Sequence, residues 1–340
     1  MGGGWPELLS FGERYFERIW GGRRLGESLG RAVPPGKVIG EAWLISDHDE
    51  CQSEVDSGPW AGKTLGQLMA ECPEYLLGAL VKPTPRGQFP LLLKLIDAGT
   101  VLSIQVHPDD ETALKLHEPD VGKTEMWHVI EADPGAELVC GLAPGTTRET
   151  FAAAVAEGRV EQCMTRFPAP AGTSVFVPAG TVHAIGGGIL LAEVQQNSNI
   201  TYRVHDCNRV DAEGKPRQLH LDKAMEAINF SPAGPEPAQR AVSSTENGVT
   251  QCMLSTCRYF VTERAELTSS WHVSKGREAF QIVLALNAGI AVLAGNSSVH
   301  LATGAAVLIP GGVGEYTVEG PGRLLTYTVL PSLQRSMRDK

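Results

Sequence analysis

GTSVFVPAGTVH, residues 172–183, and GAAVLIPGGVGE, residues 304–315, carry the most information about the fold. Both read as a glycine, five residues, a proline, any residue, a glycine, two residues and a polar end. The apolar run before each proline suits a strand that stops there, because proline has no N–H to give to a ladder. The glycines suit the turns on either side. Two copies of the same strand–turn–strand corner point to a duplicated β-unit. The copies differ in chemistry at their last position, His183 in the first and Glu315 in the second.

Short apolar runs with Pro, Gly or Asp near most of their ends fill the rest of the chain. They lie at 38–46, 90–98, 101–107, 125–132, 136–142, 189–196 and 200–206, and the texture returns after 258. Helical spacing is confined to 64–80, broken by Pro73, and to 109–117, 146–158 and 221–230. The stretch SPAGPEPAQRAVSSTENG at 231–248 reads as a linker. The expectation is a mainly β protein of two barrels with a few short helices. Residues 1–230 would form a metal-binding catalytic domain with helical additions, and 249–340 a degenerate second β domain.

The 340 residues suffice for more than one domain, and the hydrophobic fraction of 42% is that of a globular protein. A net charge of −10 argues against nucleic acid or an anionic membrane as partner, since no basic field exists to replace counterions. No apolar run is long enough to span a bilayer, and the first residues lack the apolar core of a signal peptide. Seven scattered cysteines without a CxxC pair read as buried small side chains in a reducing, cytoplasmic setting.

The polar residues of SIQVHPDD (103–110) and GKTEMW (122–127) need a separate explanation. On a strand, alternate side chains share a face, so Ser103, Gln105 and His107 point together, as do Lys123, Glu125 and Trp127. Burying such groups without partners costs several kcal/mol each. A divalent metal held by Gln105, His107, Glu125 and His183 removes the difficulty. Such a nitrogen/oxygen set suits Zn²⁺, one per chain, with Fe²⁺ or Mn²⁺ compatible on ligand type. The histidines at 48, 117, 128, 205, 220, 272 and 300 read as structural or surface residues. Lys94, Lys123 and Arg203 are cations within apolar or polar strand segments. Either they meet nearby carboxylates, as Lys94 could meet Asp97, or they surround an anionic ligand such as a phosphate, with Ser103 as a further donor.

The glycine–proline corner resembles the second conserved motif of the cupin superfamily, a small jelly-roll barrel whose terminal histidine is a metal ligand. With Glu315 at that place, the second barrel is expected to be structural and without metal. More specifically, ERIWGGRRLGE (17–27), IGEAWLISDH (39–48), FPLLLKLIDAGTVLSIQVHPDD (89–110), GKTEMWHVIEA (122–132), VPAGTVHAIGGGILLAEVQQNSNITYRVHDCNR (177–209) and LHLDKAMEAINF (219–230) are together similar to type I mannose-6-phosphate isomerases of the short bacterial kind. That resemblance implies zinc on the same four residues and isomerisation of mannose 6-phosphate to fructose 6-phosphate through a cis-enediolate. It also implies Arg203 near the reacting carbons, and a cavity lined by Trp20, Glu41, Lys94, Ser103 and Lys123. Glu193 matches an acidic position near the site, and Glu193 and Lys123 are both candidates for the base. The sequence departs from the family pattern at His128 and His205, where tyrosine is usual, and at Asn199, where aspartate is usual. The partner expected is a small phosphorylated sugar, and the assembly a monomer or small homo-oligomer. Two other functions use the same residues: a cupin-type Fe-dependent oxygenase and a non-catalytic sugar-phosphate-binding protein.

Overall fold

The computed structural model describes residues 5, 7–210, 213–231 and 243–330. The chain forms two compact units, each discontinuous in sequence. One comprises Tyr15–Ala42 and Leu95–Pro237; the other comprises Met1–Arg14, Trp43–Lys94 and Ala238–Lys340. This grouping departs from the contiguous division at 231–248. The helices Leu65–Glu71 and Pro73–Leu77 are tied to the C-terminal strands by backbone hydrogen bonds, Gly311 N–H to Leu76 C=O and Phe280 N–H to Leu77 C=O. The expected linker also shortens. Residues 232–242 lie outside the described residues, but Ser243–Glu246 is a strand paired with Val249–Thr256. The hairpin between them turns on Asn247 and Gly248, both with positive φ (50° and 79°), the conformation that a two-residue turn of this kind needs.

The first barrel is built from two antiparallel sheets. One has the order Arg14–Gly22, Ile39–Ile45, Leu91–Ala98, Ile189–Gln196, Glu125–Ala132, Ser174–Val177. The other runs Tyr202–His205, Ile104–Val106, His183–Ile185, Glu137–Leu142, Met164–Pro168. Leu138, Cys140 and Ile185 of the second sheet meet Trp127, Val129, Val175 and Leu191 of the first in one apolar cluster. The alternate residues of the second sheet, Ile104, Val106, Val139 and Ala184, belong to another cluster, covered by the helices Arg148–Ala156 and Leu221–Ala227. This explains why these strands read as apolar on both faces.

Thr147 caps the helix Arg148–Ala156 by accepting from Thr150 N–H. Phe151 anchors this layer: it is fully buried and edge-on to Phe230 at 5.8 Å. Phe151→Ala is expected to cost about 3–5 kcal/mol, read as a lowered denaturant midpoint at unchanged m-value.

The second barrel pairs a six-stranded sheet (Ser243–Glu246, Val249–Thr256, Val261–Leu267, Gly322–Thr328, Gln281–Ala285, Ala306–Ile309) with a four-stranded one (Trp271–Ser274, Glu315–Glu319, Ile290–Ala294, Ser297–Leu301). Val249, Val283, Val292, Tyr316 and Leu324 share its core.

The duplicated corner has the same local build in both barrels. Gly172 and Gly304 have φ of 89° and 75°, and a strand follows each, Ser174–Val177 and Ala306–Ile309. Pro178 C=O then accepts from Thr181 N–H at 3.1 Å, and Pro310 C=O from Val313 N–H at 3.0 Å. His183 and Glu315 each open the next strand, but His183 is buried and Glu315 exposed. No helix among the described residues is long and apolar enough to cross a membrane.

Candidate metal centre

Three chain segments deliver the candidate ligands. Gln105 is on the strand Ile104–Val106 and His107 follows it directly; His183 opens the adjacent strand and pairs in register with Gln105. Glu125 opens a strand of the facing sheet. The ligand atoms of His107, Glu125 and His183 all lie within 4.8 Å of one another, and all three residues are buried. His107 Nε2 is 3.5 Å from Glu125 Oε2, and His183 Nε2 is 3.5 Å from Glu125 Oε1.

Each imidazole is oriented through its other nitrogen by a backbone carbonyl. His107 Nδ1 lies 2.7 Å from Ile200 C=O, and His183 Nδ1 lies 2.9 Å from Thr181 C=O. Protonated Nδ1 atoms donate to these carbonyls and leave both Nε2 lone pairs directed at the cluster. The Gly180 N–H donates to His107 C=O at 2.8 Å, which ties the glycine–proline corner to the first histidine.

The electrostatics of the cluster call for a cation. Neither buried oxygen of Glu125 has a hydrogen-bond donor in line with it, although the Lys123 ammonium is ion-paired with Oε2 at 2.8 Å. Burial pushes His183 down to about 4, so its imidazole is neutral near pH 7, the form that ligates metal. Burial alone would lower Lys123, but the carboxylates of Glu125, Glu193 and Glu41 outweigh it and hold its pKa above the usual lysine value. The donor set fits a divalent metal: two imidazoles and one carboxylate, at mutual distances that a small ion can bridge.

Gln105 stands beside this group, with its amide nitrogen 3.3 Å from His183 Nε2 and its oxygen accepting from Ser103 Oγ at 3.3 Å. Turning the amide over presents the oxygen to the cluster and the NH₂ to the Ser103 hydroxyl, so either orientation keeps the serine contact.

The other residues singled out in the sequence occupy distinct places. Lys123 is 3.1 Å from His107 Nε2 and 4.0 Å from Glu193 Oε1. Glu193 is buried and accepts from Trp127 Nε1–H at 2.9 Å. Arg203 pairs in register with Gln105, and directly opposed residues of an antiparallel pair share a face. Its Nη1 donates to Gln218 C=O at 2.8 Å, while its buried Nε meets no acceptor among the described residues.

Glu41 is held by Arg18 at 2.7 Å. Trp20 is 5% exposed and packs in the apolar cluster with Trp127. Lys94 belongs to the other compact unit, where its ammonium lies over the Trp43 ring at 4.7 Å. Asp97 accepts from the backbone N–H groups of Arg24 and Leu25. His128 hydrogen-bonds Ser174 Oγ at 2.8 Å on the outward face, as alternation requires.

Sequence reasoning missed the supporting shell. Gln195 lies opposite Glu125 in register, and its amide nitrogen donates to the carbonyls of Gln196 and Ser198. Those two carbonyls fix the amide orientation, which leaves Oε1 buried without a donor among the described residues. The sequence carries this only as period-two spacing from Glu193. The carbonyls of Ile200 and Thr181 carry no side-chain signature at all.

Residues 8–126 match the phosphomannose isomerase type I catalytic domain. The chain is 37% identical over 315 residues to mannose-6-phosphate isomerase ManA of Bacillus subtilis, covering 92% of this chain and 96% of that protein. The crystal structure of a mannose 6-phosphate isomerase from Bacillus subtilis superposes with a TM-score of 0.86 at 30% identity, over 95% of this chain and 99% of that one. A mannose 6-phosphate isomerase bound with zinc and yttrium shares the fold, with a TM-score of 0.73 at 15% identity. With two cupin barrels and a buried His/Glu/His cluster in the first, the chain belongs to the type I mannose-6-phosphate isomerase family.

Proposed function

We propose that this chain interconverts mannose 6-phosphate and fructose 6-phosphate, moving a proton between C2 and C1 of the open-chain sugar. The observation that supports this most is the buried Glu125 carboxylate between the two oriented imidazoles, ion-paired with Lys123 at Oε2 and without a donor among the described residues at Oε1. In this reading Gln105, His107, Glu125 and His183 hold one zinc ion. When bound, zinc supplies Lewis-acid polarisation of a carbonyl.

The hardest species to stabilise is the cis-enediolate, whose negative charge develops on the sugar oxygens. Arg203, on the same face as Gln105, supplies a fixed positive charge there. Its strand and the Gln218 carbonyl hold it in place before substrate arrives. Ser103 and Lys123 supply donors for the phosphate, so that binding energy from a non-reacting group aligns the reacting carbons. Trp20 and Glu41 complete the walls. Of the two candidate bases, Glu193, whose carboxylate Trp127 orients, and Lys123, the lysine would first have to give up the proton that its carboxylate neighbours favour. All seven cysteines are free, which fits a reducing cytoplasm.

The test is metal analysis of the purified protein, combined with a coupled assay for fructose 6-phosphate. A metal-loaded protein that binds mannose 6-phosphate without converting it would leave only a binding role, and oxygen consumption with substrate would indicate an oxygenase. Glu315, exposed on the second barrel, lies outside this chemistry. Glu315→Ala is expected to keep turnover within about twofold of the unaltered protein, close to the free-energy scatter of neutral surface changes. A loss comparable to that of a His183 variant would place chemistry in the second barrel.

A further inference from the structure

A second set of side chains able to ligate metal lies in the same compact unit as the first: His205 and Cys207, which the sequence reading took as structural, and Glu161, which it did not single out. Glu161, His205 and Cys207 each offer one donor atom, and the three atoms lie within 4.8 Å of one another. They come from separate places. Glu161 is on the short 3₁₀ turn Val160–Cys163, and His205 ends the strand Tyr202–His205. Cys207 sits in the tight turn that follows, with φ of 52°. The turn is held by Arg209, whose backbone N–H and Nε donate to Asp206 C=O, and whose other nitrogens reach Val101 C=O and Asp206 Oδ1.

We infer that Glu161, His205 and Cys207 form a second divalent-metal site, selective for thiophilic ions of the zinc, cobalt and cadmium type. A thiolate, an imidazole and a carboxylate are the three donor classes that zinc takes in proteins, and a fourth position stays open to water. Hard ions such as Mg²⁺ and Ca²⁺ prefer oxygen-only shells and are poorly served here.

The neighbouring groups allow the site. Arg166 occupies one oxygen of Glu161, Oε2 at 2.9 Å, which leaves Oε1 for the ion. The His205 Nδ1 accepts from Cys207 N–H only at a long 3.4 Å, so changing tautomer to offer Nε2 gives up little. The ion would join the Val160–Cys163 segment to the end of the strand that carries Arg203.

The experiment loads the full chain with excess Co²⁺ or Zn²⁺, removes unbound ion, and counts metal per chain. Two equivalents are expected for the unaltered protein, and one for Cys207→Ser. The cobalt form should show a thiolate-to-cobalt charge-transfer band in the near ultraviolet, lost in Cys207→Ser and kept in His107→Ala. Cys207→Ser should retain its isomerase activity, which separates loss of the second site from misfolding and from failure of the proposed function. Glu161→Gln, an exposed change with little folding risk, should weaken the band's metal titration about tenfold or more. One equivalent in the unaltered protein, no thiolate band, or an unchanged count in Cys207→Ser would overturn the site.

Discussion

Replacing His107 with alanine is expected to remove metal and turnover together. His107 is one of only two imidazoles that face Glu125, and its Nε2 lies 3.5 Å from the carboxylate. Without it, the ion keeps one imidazole, one carboxylate and Gln105, and binding becomes weak. The lost Lewis-acid charge is worth several kcal/mol at the transition state, which at about 1.4 kcal/mol per decade is on the order of 10³-fold or more in rate. Metal content and the fructose 6-phosphate assay, run on one preparation, check this. Full turnover in a metal-free His107→Ala protein would defeat the proposed mechanism.

Arg203→Ala should separate the two properties that His107→Ala removes together. No proposed metal ligand hydrogen-bonds the Arg203 side chain, so metal content should match the unaltered protein. Its buried Nε, without an acceptor among the described residues, gives the guanidinium capacity to meet charge that develops on a ligand. The expected loss is on the order of 10²–10³-fold in kcat, the effect of removing one fixed donor to an oxyanion, with KM changed far less. A variant that loses metal in proportion to its rate would show that Arg203 instead supports the ligand strand. The comparison is clean only if both variants fold, and near-UV dichroism of the buried tryptophans reports that.

Most of the metal-bearing barrel was legible because its signals are local. Ile189–Gln196 and Glu125–Ala132 match their apolar runs end to end, and Pro73 divides the 64–80 helix as a missing N–H must. The strand Arg14–Gly22 was missed because its burial is uneven and its charged residues break any two-residue alternation. The grouping of 43–94 with the C-terminal strands rests on contacts between residues far apart in sequence, among them the backbone hydrogen bonds at Leu76 and Leu77 and the Phe89–Phe280 ring contact, which no local pattern announces. The His/Glu/His cluster was readable since three polar side chains sit on the inward side of apolar strands. The carbonyls that aim the imidazoles come from residues 181 and 200 and are visible only in three dimensions.

The strand His183–Ile185 presents His183 and Ile185 to the barrel interior and Ala184 to the helical layer outside. Substitution and insertion therefore carry different risks here. Exchanging Ala184 for another small residue disturbs a packing contact, whereas one extra residue between Val182 and Ala184 would trade the two sides. With the preceding register kept, the imidazole would then face the helical layer, and the inserted residue would take the ligand's place. This enzyme can drift in composition along the segment while its length is held fixed.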